Sequence, residues 1–223
     1  MRAGPAAPPW PPIQRPEVYP AHRGILTSAA RRIVSWRSPV NRLLPFWAQH
    51  IKVGGKMINA HAETVHEKPA YRCAFTSQRA LVPVDAFYEW LETDEVGRSC
   101  KRLKQPFALR PADGSTQALA GLYEVWYDKS PPDDDPRRGV PTYTIITTTA
   151  TDSVGRIHDR MPMAIAPGSW AEWLDSRNHD GDQLRGLMAP PVDGSLHMYA
   201  ISKAVNNVKN NGPELLEPLS AEH

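Results

Sequence analysis

Glu89 lies among three aromatic residues in the run Phe87-Tyr88-Glu89-Trp90. A solvent-exposed strand has no need of the aromatic residues, and a buried strand disfavours an ionised carboxylate. Aromatic neighbours withdraw a carboxyl group from water and so raise its pKa, which suits proton transfer near neutral pH. We therefore predict that Glu89 is a working acid or base, with a purely structural carboxylate as the alternative.

His158 is the second candidate for proton transfer. It lies in Arg156-Ile157-His158-Asp159-Arg160, shortly after a run that predicts a strand at Thr142–Thr149. Loops that leave strands often display reactive groups, and an unperturbed imidazole titrates near neutral pH. The alternative is a solvated surface loop. Asn59, in a polar cluster with His61 and Glu63, is by itself more typical of a turn.

Other common chemistries lack their signatures. The sequence has no glycine-rich phosphate loop, HExxH, CxxC or GxSxG motif. Cys73 and His158 together suggest a thiol hydrolase, but Cys73 has no oxyanion-hole signature beside it, and a lone cysteine is usually a small apolar filler. The two cysteines lack metal-ligand spacing, so we expect no metal and no cofactor. Trp47 and Trp90 are typical of a core, although exposed aromatics beside a basic groove would suit single strands.

The elements that must position these residues are mainly strands. Runs rich in aromatic and β-branched residues predict strands at Ala80–Leu91, Pro106–Arg110, Ala118–Tyr127, Thr142–Thr149 and Leu196–Ser202. Helical periodicity is confined to Ser169–Asp175 and Asp182–Leu187. This pattern predicts the α+β class, with a mainly antiparallel sheet and a few helices.

Size and composition indicate a soluble, intracellular protein. The 223 residues, 41% of them hydrophobic, suffice for one domain with a real core. No run approaches the roughly 18 apolar residues of a membrane span, and the first residues lack the apolar region of a signal peptide. We therefore expect a cytoplasmic protein with free thiols and no membrane association.

Residues 1–42 differ in amino-acid composition from the rest of the chain. They contain seven of the 26 basic residues and one of the 24 acidic residues, which leaves residues 43–223 with 19 basic and 23 acidic residues, a net charge of −4. Seven of the 23 prolines lie in residues 1–20. We expect an irregular leader followed by a domain that can bind a polyanion only through a local basic groove.

Three motifs in one order carry a family resemblance. They are INAHAET (58–64) with EKP (67–69), LVPVDAFYEW (81–90) and TTTATDSVGRIHDRMP (147–162), and VNNVKNN (205–211) adds a C-terminal signature. The chain resembles the SOS response-associated peptidase (SRAP) family, the abasic-site processing proteins, from Leu43 to Leu219. The resemblance implies a curved, barrel-like sheet with flanking helices and a DNA-binding groove.

The resemblance also implies a chemistry and a set of roles. Family members bind single-stranded DNA at abasic sites and attack the open sugar aldehyde with an N-terminal cysteine, which gives a thiazolidine crosslink. The same cysteine is held responsible for an autopeptidase activity. By position, Glu89 resembles the acid or base beside that nucleophile, His158 the histidine that helps to open the sugar ring, and Asn59 the residue that holds the cysteine and the sugar. The positions that resemble DNA contacts are Trp90, Arg160, His61, Trp47 and Thr147.

The chain departs from the family pattern at its beginning. The family starts Met-Cys-Gly-Arg, whereas this sequence starts Met1-Arg2-Ala3-Gly4 and has no cysteine before Cys73. Asn41-Arg42 stand where the family has Trp-Gly, and His61 stands where it usually has Arg. We therefore interpret residues 1–42 as an atypical leader, disordered or mistranslated, and residues 43–223 as an N-terminally truncated SRAP domain. We expect such a chain to lack the crosslinking nucleophile.

Two functions follow from these interpretations. The first is a DNA-repair protein of the DNA-damage response that acts on abasic sites in single-stranded DNA, with hydrolase, protease and lyase-type activity in intact members. The alternative is a non-catalytic module that binds single-stranded DNA. In either case we expect a monomer in the cytoplasm, associated with the nucleoid if the source is bacterial.

Overall fold

A computed structural model describes residues 40–219 except 98, 133, 134, 136, 137, 152, 153, 189, 191 and 193. The strands are β1 (Val40–Asn41), β2 (Asn59–His61), β3 (Arg79–Val84), β4 (Phe87–Val96), β5 (Arg102–Pro111), β6 (Gln117–Tyr127), β7 (Gly139–Thr149), β8 (Arg160–Pro162) and β9 (Leu196–Ala200). The α-helices are α1 (Arg72–Ser77), α2 (Trp170–Leu174) and α3 (Gly181–Gly186). Short 3₁₀ helices lie at Ile51–Lys56, Val154–Arg156, Pro167–Ser169, Lys203–Asn206 and Pro213–Leu216.

The larger sheet is organised around β7. Its strand order is β1-β7-β6-β3, with β2 and β8 also paired to β7. The edge strands β1 and β2 run parallel to β7, whereas β6 and β8 run antiparallel to it. Thr147 is opposite both His61 of β2 and Pro162 of β8. The C-terminal end of β7 therefore lies next to β2 and β8, which carry the candidate site residues Asn59, His61 and Arg160.

The smaller sheet has the order β4-β5-β9 and is antiparallel throughout. Glu89 of β4 is opposite Phe107 of β5. Because side chains alternate along a strand, Phe87 and Glu89 point to one face and Tyr88 and Trp90 to the other. The predicted single strand at Ala80–Leu91 is thus two strands in two different sheets.

The expectation of a barrel-like sheet is wrong for the described residues, where the two sheets have separate hydrogen-bond ladders and neither closes. The break occurs at Asp85–Ala86, between β3, which pairs with β6, and β4, which pairs with β5. Thr116 donates a hydrogen bond of 2.8 Å from Oγ1 to Asp85 Oδ1, which fixes this turn against the chain entering β6. The α+β class, with a mainly antiparallel arrangement and few helices, is confirmed.

The main hydrophobic core lies between the larger sheet and the helices. Fully buried side chains from β6, β7, α1 and α2 meet there, among them Leu122, Ile146, Phe75 and Trp173. A separate apolar cluster of Leu109, Val154 and Met161 lies against the smaller sheet, with Phe87 and Phe107 packed on it. The face of β4 that carries Glu89 is therefore the face that packs on the apolar cluster.

The leader prediction falls almost wholly outside the described residues. Of residues 1–42, only 40–42 are described, and Val40 and Asn41 pair with Thr142 and Tyr143 of β7. The boundary at residues 42 and 43 stays a prediction. No helix in the described part of the chain is long and apolar enough to cross a membrane.

Candidate functional site

A surface cavity of about 640 Å³ lies at the end of the smaller sheet. It is lined by side chains from β4, β5, the loop before β8 and the 3₁₀ helix Lys203–Asn206, namely Glu89, Trp90, Leu103, Lys104, His158, Lys203 and Asn206. The fold thus brings the two predicted proton-transfer residues, Glu89 and His158, to one cavity. Their segments are remote in sequence, and only the packing of the smaller sheet against the 154–162 segment makes them neighbours.

Glu89 is half-buried on the face of β4 that also carries Phe87, which packs on the apolar cluster. Burial raises the pKa of its carboxyl group, the positive charge of His158 opposes that rise, and the negative charge of Asp159 adds to it. Desolvation is the largest of these effects, and Phe87 and Phe107 lie on the same face of the sheet as Glu89. The result is a carboxyl group that holds its proton to higher pH than an ordinary glutamate.

The ring of His158 is exposed but held in orientation by its own loop. The backbone N–H of Arg160 donates to His158 Nδ1 at 3.0 Å, and the Arg160 carbonyl oxygen lies 3.1 Å from the same nitrogen. Asp159 Oδ1 is 3.3 Å from Nδ1. When Nδ1 accepts the N–H, the neutral imidazole carries its proton on Nε2, whereas an imidazolium can donate from Nδ1 to the carbonyl. The contacts at Nδ1 admit either tautomer, and only the form with Nδ1–H donating to the Arg160 carbonyl leaves a lone pair on Nε2 that can accept a proton.

The other side of the cavity is aromatic and basic. Trp90 Nε1 donates to Asn206 Oδ1 at 2.8 Å. Lys203 and Asn206 are three residues apart in one 3₁₀ helix, so their side chains share a face, and both line the cavity. Lys104 pairs with Glu92 at 3.4 Å on the neighbouring strand. This side of the cavity can contact an apolar ring system and balance a negative charge.

A charged cluster adjoins His158 along the chain. Glu63 accepts two hydrogen bonds of 2.9 Å from Arg160, one from Nη1 to Oε1 and one from Nη2 to Oε2. Arg160 Nη2 also donates to the Thr147 carbonyl at 2.5 Å. The hydrogen bond from Arg160 lowers the pKa of Glu63 to about 2, so this carboxylate stays ionised at neutral pH.

Several predicted site residues lie in the larger sheet rather than on the cavity wall. Asn59 and His61 are exposed on β2, and the Asn59 carbonyl accepts a hydrogen bond of 3.3 Å from the Tyr71 hydroxyl. Thr147 is 5% exposed on β7. Trp47 is 45% exposed in the turn before the 3₁₀ helix Ile51–Lys56. Neither these four residues nor Arg160 line the cavity, and their functional roles stay predictions.

Sequence reasoning assigned no role to five residues of the site. Four of them line the cavity, namely Leu103, Lys104, Lys203 and Asn206, and the fifth, Glu63, holds Arg160. Glu63 had a signal, since it lies in the polar cluster with Asn59 and His61. The lysines had none, because a lysine on a strand or in a polar tail is normally solvated.

The cysteines lie elsewhere. Cys73 is exposed on α1 and Cys100 is exposed in the loop between β4 and β5, and neither lines the cavity. This position gives no support to a hydrolase that combines Cys73 with His158. In the described ranges, no group of three or more His, Cys, Asp or Glu side chains could hold a metal ion.

Comparison with known proteins finds one family. The model of the family described as SOS response associated peptidase (SRAP) matches residues 16–208. The abasic site processing protein YoqW of Bacillus subtilis is 40% identical over 175 residues, which cover 78% of this chain and 73% of the relative. The abasic site processing protein HMCES of Xenopus tropicalis is 31% identical over 193 residues, covering 78% of this chain and 54% of that relative.

Solved structures support the fold. A protein from Bacteroides thetaiotaomicron superimposes with a TM-score of 0.68 at 23% identity, over 82% of this chain and 76% of that one. A protein from Bordetella bronchiseptica gives a TM-score of 0.58 at 23% identity, over 74% of this chain and 76% of that one. The family match begins upstream of the predicted boundary at residues 42 and 43.

Proposed function

The chain belongs to the SOS response associated peptidase (SRAP) family, and we propose that it recognises and processes abasic sites in single-stranded DNA. Relatives that are 31–40% identical are named abasic site processing proteins. The observation that carries the proposal is the shared cavity of Glu89 and His158, a carboxyl group of raised pKa beside an imidazole of restrained orientation.

The two groups suit the chemistry of an abasic sugar. An abasic deoxyribose is mostly a closed hemiacetal, and its aldehyde becomes reactive after the C1–ring-oxygen bond breaks. Opening needs a base for the C1 hydroxyl proton and an acid for the ring oxygen. In this proposal His158, with Nδ1–H donating to the Arg160 carbonyl, takes the C1 hydroxyl proton at Nε2, and Glu89 in its protonated form gives its proton to the ring oxygen as the C1–ring-oxygen bond breaks. General acid–base catalysis of this kind contributes roughly 10²- to 10⁴-fold.

The basic and aromatic side of the cavity suits a single strand. Trp90, tied to Asn206, offers a ring surface on which a base can stack. Lys104 and Lys203 provide cations for neighbouring phosphates in a domain that is otherwise net negative. Trp47, His61, Thr147 and Arg160 are proposed to extend this contact along the larger sheet, with Asn59 holding the sugar.

A thiazolidine needs a cysteine with a free α-amine, and the two cysteines of the 223-residue sequence, Cys73 and Cys100, are internal. Neither thiol lines the cavity, so the proposal covers binding and acid–base processing of the abasic sugar and does not include covalent capture by these two thiols. A non-catalytic module that binds single-stranded DNA is the alternative, and the position of both thiols outside the cavity favours it.

The test uses three single-stranded oligonucleotides of one sequence, with an abasic site, its tetrahydrofuran analogue or an intact base. Fluorescence anisotropy measures binding, and a denaturing gel after heating measures covalent capture and strand cleavage. We expect preferential binding of the abasic and tetrahydrofuran strands. Equal affinity for all three oligonucleotides would contradict abasic-site recognition, and a heat-stable adduct would show that covalent capture occurs as well.

Variants separate processing from binding. Glu89→Gln and His158→Gln should lower any strand cleavage by about 10²-fold or more, with a smaller effect on the affinity for the tetrahydrofuran strand. Glu95→Gln is the matched control, because Glu95 lies exposed near the end of the same strand. Binding without cleavage in the wild type would favour the non-catalytic module.

A further inference from the structure

We propose that Asn206 is a specificity-determining residue that donates to a carbonyl oxygen on the base next to an abasic site, while that base stacks on Trp90. The inference rests on the proposed function, because it assigns a subsite to the neighbouring nucleotide of the same single strand. The subsite lies on the aromatic and basic side of the cavity. Its preference among bases follows from one hydrogen bond between the two residues.

The subsite lies on the opposite face of β4 from Glu89. Glu89 and Trp90 are consecutive residues of this strand, so their side chains point to its two faces. Both residues line the cavity, and β4 is an edge strand of the smaller sheet, so the cavity reaches both faces at this edge. A sugar bound at Glu89 therefore leaves the Trp90 side to the nucleotide that adjoins it.

The Trp90 side of the cavity combines a ring surface, a cation and an amide. Trp90 is opposite Pro106 and Glu92 is opposite Lys104, so Lys104 lies on the same face of the sheet as Trp90. An indole ring stacks on every base, and an ammonium group attracts every phosphate. Neither contact distinguishes one base from another. Discrimination between bases therefore depends on the amide of Asn206, which lines the same side of the cavity.

The bond to Trp90 decides which end of the Asn206 amide can face a base. The indole Nε1–H is a donor only, so the atom that it meets at 2.8 Å is the acceptor Oδ1. Asn206 Nδ2 carries two N–H donors and has no hydrogen-bond partner in the described part of the chain. With Oδ1 held toward the indole, the side chain presents donors to a ligand in the cavity.

An amide that presents only its donors favours a carbonyl oxygen. An unrestrained asparagine recognises adenine with both ends of its amide, since its oxygen accepts from N6 while its nitrogen donates to N7. That arrangement needs Oδ1, which the Trp90 indole occupies here. Guanine, cytosine and thymine each carry a carbonyl oxygen that can accept from Nδ2. Adenine carries none, and its N1 and N7 acceptors adjoin an amino donor, so we expect adenine to be the least favoured neighbour.

The turn that carries Asn206 is anchored before any base binds. Asn210 Nδ2 donates to the Ala204 carbonyl, inside the 3₁₀ helix, at 2.8 Å. Gln105 Nε2 of β5 donates to the Ile201 carbonyl, just before that helix, at 2.8 Å. These contacts connect the helix to the following chain and to the smaller sheet. A donor that is already held in place loses less conformational entropy on binding, which makes a single hydrogen bond more selective.

The test measures fluorescence anisotropy with the full chain and two single strands. Each strand contains one tetrahydrofuran analogue, flanked on both sides by hypoxanthine in one strand and by adenine in the other. The two purines have the same ring system, and hypoxanthine carries a carbonyl oxygen at C6 where adenine carries an amino group. We expect the hypoxanthine strand to bind about two- to tenfold more tightly, the effect of one hydrogen bond.

Asn206→Asp is the decisive variant, because it keeps an oxygen for the indole N–H and replaces Nδ2 by an acceptor. The preference for hypoxanthine should disappear or reverse, since a carboxylate accepts from the amino group of adenine. The added negative charge weakens binding of both strands alike, so the ratio of the two affinities isolates the base contact. Asn211→Asp adds the same charge at an exposed position of the same tail and should keep the wild-type ratio.

Trp90→Phe is an independent second variant. It keeps an aromatic ring but removes the N–H, so the Asn206 amide is free to turn and to pair with adenine through both ends. The preference for hypoxanthine should again decrease, in this case without a change of charge. A preference that is retained in folded Asn206→Asp overturns the proposal. If that variant fails to fold, a preference retained in Trp90→Phe overturns it.

The outcomes distinguish this inference from the proposed function. If wild-type protein binds the hypoxanthine and adenine strands equally, yet more tightly than strands with an intact base at the central position, the base subsite alone is overturned. If the preference for hypoxanthine persists but the tetrahydrofuran analogue gives no advantage, abasic-site recognition is overturned and the base subsite is supported. Absence of binding to every strand contradicts both.

Discussion

Trp90 and Asn206 are joined by a side-chain hydrogen bond of 2.8 Å although 116 residues separate them in sequence. The bond connects β4 to the 3₁₀ helix Lys203–Asn206, and both residues line the cavity. The indole N–H has one direction in which to donate, so the bond sets the plane of the ring. The C-terminal segment thereby fixes the aromatic surface beside Glu89.

Replacing Asn206 by Ala should release the Trp90 ring. We expect the free energy of unfolding to fall by about 0.5–1.5 kcal/mol, the usual net value of one hydrogen bond, and the tryptophan emission to change. The free energy of binding to the tetrahydrofuran strand should weaken by more than the free energy of unfolding falls. Denaturant unfolding and anisotropy measure the two effects, with Asn211→Ala, an exposed residue in the same tail, as the control. Equal changes in unfolding free energy and in affinity for Asn206→Ala and Asn211→Ala would show that the hydrogen bond does not order the Trp90 ring.

Glu89 should make the protein less stable as the pH rises. Its pKa is raised on folding above the ordinary value of 4.5, so at pH below 4.5 both the folded and unfolded states are protonated and no penalty exists. Above that pH the unfolded state ionises more readily, and the penalty grows until the folded carboxyl also ionises. Glu89→Gln should therefore raise the melting temperature at pH 7.5 and leave it nearly unchanged at pH 4.

The control for that measurement is Glu95→Gln, which should show no such dependence on pH. A Glu89→Gln variant that is stabilised equally at both pH values would mean that burial does not raise the carboxyl pKa.

Arg79 should be a major contributor to stability. It is 3% exposed and donates to the carbonyl oxygens of Phe75, Trp173, Asp175 and Asn178 at 2.6–3.2 Å. Arg79→Met removes the donors and leaves buried acceptors unpaired at about 1–3 kcal/mol each, so we expect a loss of about 3 kcal/mol or more. Urea unfolding measures the loss, with Arg72→Met, an exposed residue of α1, as the control. A loss no larger than that of the control would contradict this role.

Lys203 should contribute to binding through a phosphate. Lys203→Ala should weaken binding to all single strands by a similar factor and reduce the slope of log K against log salt by about 1. Fluorescence anisotropy measured between roughly 50 and 200 mM salt gives that slope. Lys129→Ala, in the loop after β6, is the control and should leave the slope unchanged. A loss of affinity with no change of slope would argue for a contact other than a phosphate.

Local sequence patterns were sufficient for most strands. The predictions at Pro106–Arg110, Ala118–Tyr127 and Thr142–Thr149 lie within β5, β6 and β7, because β-branched and aromatic residues favour an extended backbone regardless of their partners. The helix α1 was missed. Its six residues carry little periodicity, and it is stabilised by burial of Phe75 against Trp173 rather than by its own propensity.

The sequence by itself determined the fold class, the family and the anomaly of Glu89, since each depends on residue types and short spacings. Only the tertiary structure decided that Ala80–Leu91 divides between two sheets, that Glu89, His158, Lys203 and Asn206 share one cavity, and that Glu63 holds Arg160. The physical reason is that alternation along a strand encodes which face is buried but not which strand pairs with it. Strand partners, ion pairs and the desolvation of a carboxyl group arise from contacts between segments remote in sequence, and these contacts form only when the chain packs.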